Sequence, residues 1–155
     1  MVNFIIALPV FFGVAVALGV PLTGWVLLVP LVLLVQVIFS VGIGLILATL
    51  NVYYRDTQII MEVLMLAWFF VTPIIWDARA VPETRMLFGI ELPLRRLVYI
   101  LNPMASIIAS YRDTMYWGVR PALDFFGRSA LTAVVILVIG YVIFHHFSPS
   151  FAEEL

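Results

Sequence analysis

Cysteine and lysine are both absent from this 155-residue chain, and all eight of its basic residues are Arg. Without cysteine there is no disulfide, no thiolate metal site and no Cys nucleophile. Without lysine there is no Schiff base, and the phosphate-binding Lys of a P-loop ATPase has no counterpart. Charge is scarce as well. Charged residues make up 11% of the chain and the net charge is -1, so no basic field is available for nucleic acid. The two histidines, His145 and His146, are adjacent. They point in different directions on a helix and cannot form the i, i+4 pair of a metal site. Nor do they reach a Ser/His/Asp arrangement.

What is there is apolar. Hydrophobic residues account for 65% of the chain, and the mean hydropathy is +1.17. An ordinary soluble domain is about half apolar and about a quarter charged. A globule of this size cannot hide so much apolar surface, and a disordered chain could not keep it solvated. The expectation is an all-α, polytopic transmembrane helix bundle.

The first charged residue is Arg55, and the apolar run before it is long enough for two crossings of about 20 residues each. The cluster Gly19-Val-Pro-Leu-Thr-Gly24 divides it. The expected spans are residues 2–20, 25–50, 58–76 and 129–147. Between the last two, residues 77–128 mix charges with apolar runs too short to cross. Two short re-entrant or interfacial helices meeting at Asn102-Pro103 fit there, because irregular backbone at membrane depth must be sheltered by protein or line a water-filled cavity. Both termini then lie on one side. Trp25, Trp76 and Trp117 fall at one interface, and Tyr53, Tyr54 and the two His at the other, as aromatic belts allow. The Arg distribution taken alone would place residues 77–128 in the cytoplasm.

Within this frame a few side chains stand out. Ser40, Gly44 and Ala48 recur every fourth residue and form a small-residue face suited to close helix packing. Pro9, Pro30 and Pro73 are expected to kink their spans. Glu62 is an acid inside a span, where such groups mark pathways by default. Trp68, Phe69, Phe70 and Trp76 follow it as a candidate substrate path, although aromatic faces suit helix packing as well as sugar rings. Tyr53, Tyr54, Arg55 and Asp56 form a candidate cytoplasmic turn. Asn102, Pro103, Tyr111 and Arg112 form a candidate outer gate within residues 83–118.

Five motifs in order carry a family resemblance. They are Leu50-Asn-Val-Tyr-Tyr-Arg-Asp56, Phe69-Phe-Val-Thr-Pro-Ile-Ile-Trp76, Val81-Pro-Glu83, Leu101-Asn-Pro-Met-Ala105 with Tyr111-Arg112, and Phe151-Ala-Glu-Glu-Leu155. Together they resemble the C-terminal part of ABC-2 type transporter permeases that export polysaccharide, O-antigen or teichoic acid. The resemblance implies a multi-pass subunit of the bacterial inner membrane, six helices in the full permease, and a homodimer working with a separate ABC ATPase. The subunit itself is then no enzyme and has no cofactor; ATP and Mg belong to the ATPase. The ligand is a glycan, the surroundings are membrane lipid, and nucleic acid has no part. The resemblance also implies that residues 77–128 face outward, against the Arg distribution. It places about a hundred further residues before Met1, with two crossings and the coupling helix, so the chain alone is not expected to export. The alternatives are an exporter of drugs or small lipophilic solutes, and a membrane scaffold with no transport role.

Overall fold

The computed structural model describes residues 2–20, 23–54, 56–87 and 90–150. Arg55 and the Phe151–Leu155 motif lie outside the described residues. Among the described residues six α-helices follow in order: α1 (Val2–Ala17), α2 (Val29–Tyr53), α3 (Thr57–Val71), α4 (Leu94–Leu101), α5 (Pro103–Met115) and α6 (Leu123–Phe147). A 3-10 turn, Gly24–Leu28, leads into α2. One departure from an all-helical chain is a small antiparallel hairpin of β1 (Arg85–Leu87) and β2 (Ile90–Leu92) before α4, with Arg85 opposite Leu92.

Two of the four expected spans are helices long and apolar enough to cross a membrane. They are the run Gly24–Tyr53 and the helix Leu123–Phe147. The 25 residues of α2 extend about 38 Å. The 15 residues of α3 reach only about 22 Å. α3 stops at Val71 because Thr72 turns to extended backbone, with ψ at 132°, ahead of Pro73. The prolines are therefore placed differently from expectation. Pro30 sits in the first turn of α2, where a missing N–H costs nothing. Pro73 lies past the end of α3, and only Pro9 is inside a helix.

α2 and α6 form the central pair and run parallel. Gly42 meets Leu137 and Gly140, and further along the rings of Tyr53 and Phe147 stand 5.6 Å apart. At their other ends the Thr23 hydroxyl donates to the Gly118 carbonyl at 3.0 Å. α3 returns antiparallel along α2: Thr57 bonds to Leu50 at one end, and Trp68 faces Phe39 further up. The segment from Thr72 to Gly118 thus gathers at the end of the bundle where α2 and α6 begin. This brings Trp76 and Trp117 into one recess, and the bond from Thr23 to Gly118 holds Trp25's end of the chain beside them.

The buried core is small and set where α2, α5 and α6 meet. Val32, Val35 and Phe39 of α2 pack with Ile107 of α5 and with Phe126 and Ala133 of α6. Outward faces remain apolar, as with Leu27 at 83% and Leu131 at 66% exposed. A water-soluble protein rarely exposes so much contiguous apolar surface; hydrocarbon is the solvent that suits it.

The α2–α6 seam is not built on the Ser40 stripe. Ser40, Gly44 and Ala48 are exposed, and a Cβ on Gly44 would meet nothing within 4 Å. The close approach is made by Gly42, where a Cβ would lie 2.7 Å from the Leu137 nitrogen. Gly140 returns the contact, since its own Cβ would press on the Gly42 carbonyl. The small-residue face that packs is turned toward α6, away from the Ser40 stripe.

Candidate functional site

Pro103 opens α5, and the residue before a proline is pushed out of the helical region. Asn102 accordingly stands extended, at φ -117° and ψ 96°, and parts α4 from α5. The break turns its side chain into the bundle, where it is buried. A buried amide must be partnered, and this one is. Its Oδ1 accepts from the Met104 N–H at 3.1 Å, capping α5. The same oxygen accepts from Trp68 Nε1 at 3.2 Å, while its Nδ2 donates to Thr72 Oγ1 at 2.8 Å. The Thr72 hydroxyl donates in turn to the Trp68 carbonyl at 2.7 Å. One amide thus fastens the break between α4 and α5 to the last turn of α3.

Two arginines tie down the strand of chain that follows α3. Arg112 donates to the carbonyls of Ile74 and Trp76. Arg95 donates through Nε and Nη2 to the Val81 carbonyl, at 3.1 and 3.0 Å, and pairs with Glu83 at 2.8 Å. Both use the fixed fork of the guanidinium to hold carbonyls that no helix satisfies. Next to Arg112, the Tyr111 hydroxyl donates to Gln36 Oε1 at 2.8 Å, joining α5 to the first third of α2. Ser129 donates to the Pro103 carbonyl at 3.3 Å, joining α5 to α6. Asn102, Pro103, Tyr111 and Arg112 are therefore the fastening points of one assembly.

The expected substrate path is not one surface. Trp68 turns inward, 6.4 Å from Phe39 and edge-on to it. Phe69 and Phe70 are exposed, at 40% and 62%. Trp76 folds back to donate to the Phe70 carbonyl at 3.0 Å. Glu62 is exposed two turns below Phe69, at the limit of hydrogen bonding to Gln58, 3.5 Å away. Consecutive residues on a helix are about 100° apart, so a run of adjacent aromatics cannot share a face. Trp68 and Phe69 do border an apolar groove of about 370 Å³ between α2 and α3, whose floor is Ser40 and Gly44.

At the opposite end, Tyr53 lies on the last turn of α2 and packs on Phe147. Tyr54 is extended and exposed. Asp56 precedes α3 without capping it by a side-chain bond. Thr57 locks the turn, donating to the Tyr54 carbonyl at 2.6 Å and approaching the Leu50 carbonyl at 3.2 Å. Thr57, Thr72 and Gln36 were not among the expected site residues. Gln36, an amide within an apolar helix, was the one with a readable signal, since polar side chains join helices inside membranes.

No group of His, Asp and Glu suited to a metal occurs among the described residues. What the site does in this structure is fasten helices to one another. Two long apolar helices with an apolar outer shell, and a fastened segment of short helices at one end, fit a helical membrane protein. No family profile matches the chain. Over 153 residues, 99% of the chain, it is 32% identical to the O-antigen export system permease protein RfbA of Myxococcus xanthus, of which that covers 56%. Two proteins of the same name from Klebsiella pneumoniae are 29% and 28% identical over 156 residues, 55% of their length. The chain spans about half the length of these curated relatives. The likeness to polysaccharide-export permeases carried by the five motifs thus extends along nearly the whole chain.

Proposed function

We propose that this chain forms part of the permease subunit of an ATP-driven exporter that moves polysaccharide or a lipid-linked glycan across the bacterial inner membrane. The observation that carries the reading is the similarity along 99% of the chain to proteins named as O-antigen export permeases. The fold agrees with it. α2 and α6 cross the bilayer, and α1 and α3 complete two further crossings with the irregular residues that flank them. Residues 77–128 lie on the outer side and both described ends of the chain on the cytoplasmic side. A permease homodimer encloses the path, and a separate ABC ATPase supplies the work.

In this reading the assembly around Asn102 is the outer gate. α3 is joined to α4 and α5 by Trp68, Thr72 and Asn102, and to α5 again by Arg112 through the carbonyls of Ile74 and Trp76. A shift of α3 driven from the cytoplasmic side therefore pulls on the gate helices directly. Phe69, Phe70 and Glu62, exposed on α3, meet the glycan through weak contacts. Weak, repeated contacts let a polymer slide where one tight site would stall it.

The test is purification of the complete protein from its host membrane. An ATP-hydrolysing partner whose activity disappears when its own phosphate-loop Lys is replaced is the expected companion. Recovery of the protein at full yield with no ATPase attached would contradict the reading.

A further inference from the structure

Between α1 and α5 the bundle is open. Phe4 of α1 touches this part of the chain, its ring 5.4 Å from that of Tyr111. Beyond it a trough of about 640 Å³ separates the helices, walled by Leu8, Phe11, Ile108 and Met115. A second recess of about 350 Å³ continues past Phe4 and Tyr111 to Gln36, in the first third of α2. The walls are apolar, and the charge stands at one end. There Trp76, Trp117, Asp77 and Arg112 line the trough, and the last three also line a cavity of about 230 Å³ with Arg95, Asp113, Ser106 and Ser110. Asp77 carries an interaction of its own. Arg112 reaches two backbone carbonyls and, among the described residues, no carboxylate.

The geometry points to a bilayer phospholipid with an anionic headgroup held between α1 and α5, one acyl chain in the trough and its phosphate on Arg112. An apolar recess at membrane depth does not hold water, and a lipid acyl chain matches its apolar walls. The guanidinium fork matches two phosphate oxygens and has N–H groups left after serving Ile74 and Trp76; a headgroup with net negative charge is favoured over phosphatidylcholine, whose choline cation offsets the phosphate and is repelled by Arg112. Trp76 and Trp117 stand at the same end, the level at which indole rings meet headgroups. The lipid would complete the weak seam between α1 and α5. The inference needs only that the chain resides in a bilayer, and it is independent of what is exported.

The experiment places the whole protein, with Trp25→Phe to reduce background, in nanodiscs containing phosphatidylglycerol or phosphatidylcholine brominated on the acyl chains. Tryptophan quenching should reach half its maximum at an about fivefold lower mole fraction of the anionic lipid, the worth of one cation near a phosphate surface. Arg112→Gln should abolish that preference. Ala7→Phe fills the trough without touching Arg112, and should reduce quenching by both lipids, which keeps the test decisive if Arg112→Gln fails to fold. Equal quenching by the two lipids in the unsubstituted protein would mean an ordinary lipid annulus and would overturn the proposal. So would unchanged quenching with Ala7→Phe, or no quenching at all because another protein segment covers the trough. Displacement of the brominated lipid by a polyprenyl phosphate at a lower mole fraction would assign the trough to a glycan carrier and equally overturn the proposal.

Discussion

The Trp68 indole on α3 donates a hydrogen bond of 3.2 Å to the Asn102 carboxamide, across 34 residues of sequence. Asn102 is also where α4 ends and α5 begins. A single side chain therefore caps α5 at the break that Pro103 makes and holds that break to the returning helix α3. The energetic consequence is asymmetric. Each bond contributes modestly, but losing the amide leaves buried donors with no partner, at about 1–3 kcal/mol for each orphaned group.

Asn102→Ala is accordingly expected to destabilise the protein by roughly 2–3 kcal/mol, read as a lower melting temperature in mild detergent. Protease sensitivity should rise within residues 72–83, the strand that loses its anchor. Asn102→Asp keeps both Oδ1 contacts and gives up the donation to Thr72, so it should fall between the two. A melting temperature for Asn102→Ala equal to that of the parent would remove the amide from its central place.

At the α2–α6 seam, Gly42→Ala should destabilise by about 1–3 kcal/mol, the cost of forcing extra atoms into a close contact. Its Cβ would lie 2.7 Å from backbone that cannot step aside. Gly44→Ala, with open space around it, should leave the melting temperature unchanged. If the two substitutions behaved alike in thermal unfolding, the helices would not be packed as described.

Glu83 is paired with Arg95, yet its side chain is 79% exposed. Exposed ion pairs contribute little. Glu83→Gln should therefore leave the melting temperature nearly unchanged, whereas Arg95→Gln, which also releases the Val81 carbonyl, should be measurably worse. Equal effects would show that the ion pair, not the carbonyl clasp, is what holds the strand.

The absence of cysteine makes topology directly measurable. Arg85→Cys and Val119→Cys should both label with an impermeant thiol reagent from outside the cell. Tyr54→Cys and His146→Cys should label only after the membrane is opened. Labelling of Arg85→Cys and Tyr54→Cys from the same side would break the parallel arrangement of α2 and α6.

Much of this was legible in the residues, for physical reasons that differ by element. α2 and α6 announce themselves by apolar length, and the break at Asn102 by the proline after it. α6 begins at Leu123, six residues before the expected 129, because Asp124 and Arg128 on its first turns reach past the apolar region. α3 is shorter than its apolar run because Pro73 ends it. The face of α2 that meets α6 was not readable. Nearly every side of that helix is apolar, so periodicity could not choose Gly42 over Gly44. The strands Arg85–Leu87 and Ile90–Leu92 have too few residues to show strand alternation. The partners of Asn102 were out of reach for another reason: a lone amide among apolar residues signals that it must be satisfied, but not by what.

The reading as an export permease is tested most directly at the cell surface. Deleting the gene in its own host, then measuring extractable surface polysaccharide together with glycan retained on its lipid carrier inside, separates export from synthesis. The account predicts loss of the surface polymer with accumulation of carrier-linked glycan, both reversed when the complete gene is restored and not when its product carries Asn102→Ala together with Arg112→Gln. Unchanged surface polysaccharide in the deletion strain would contradict it.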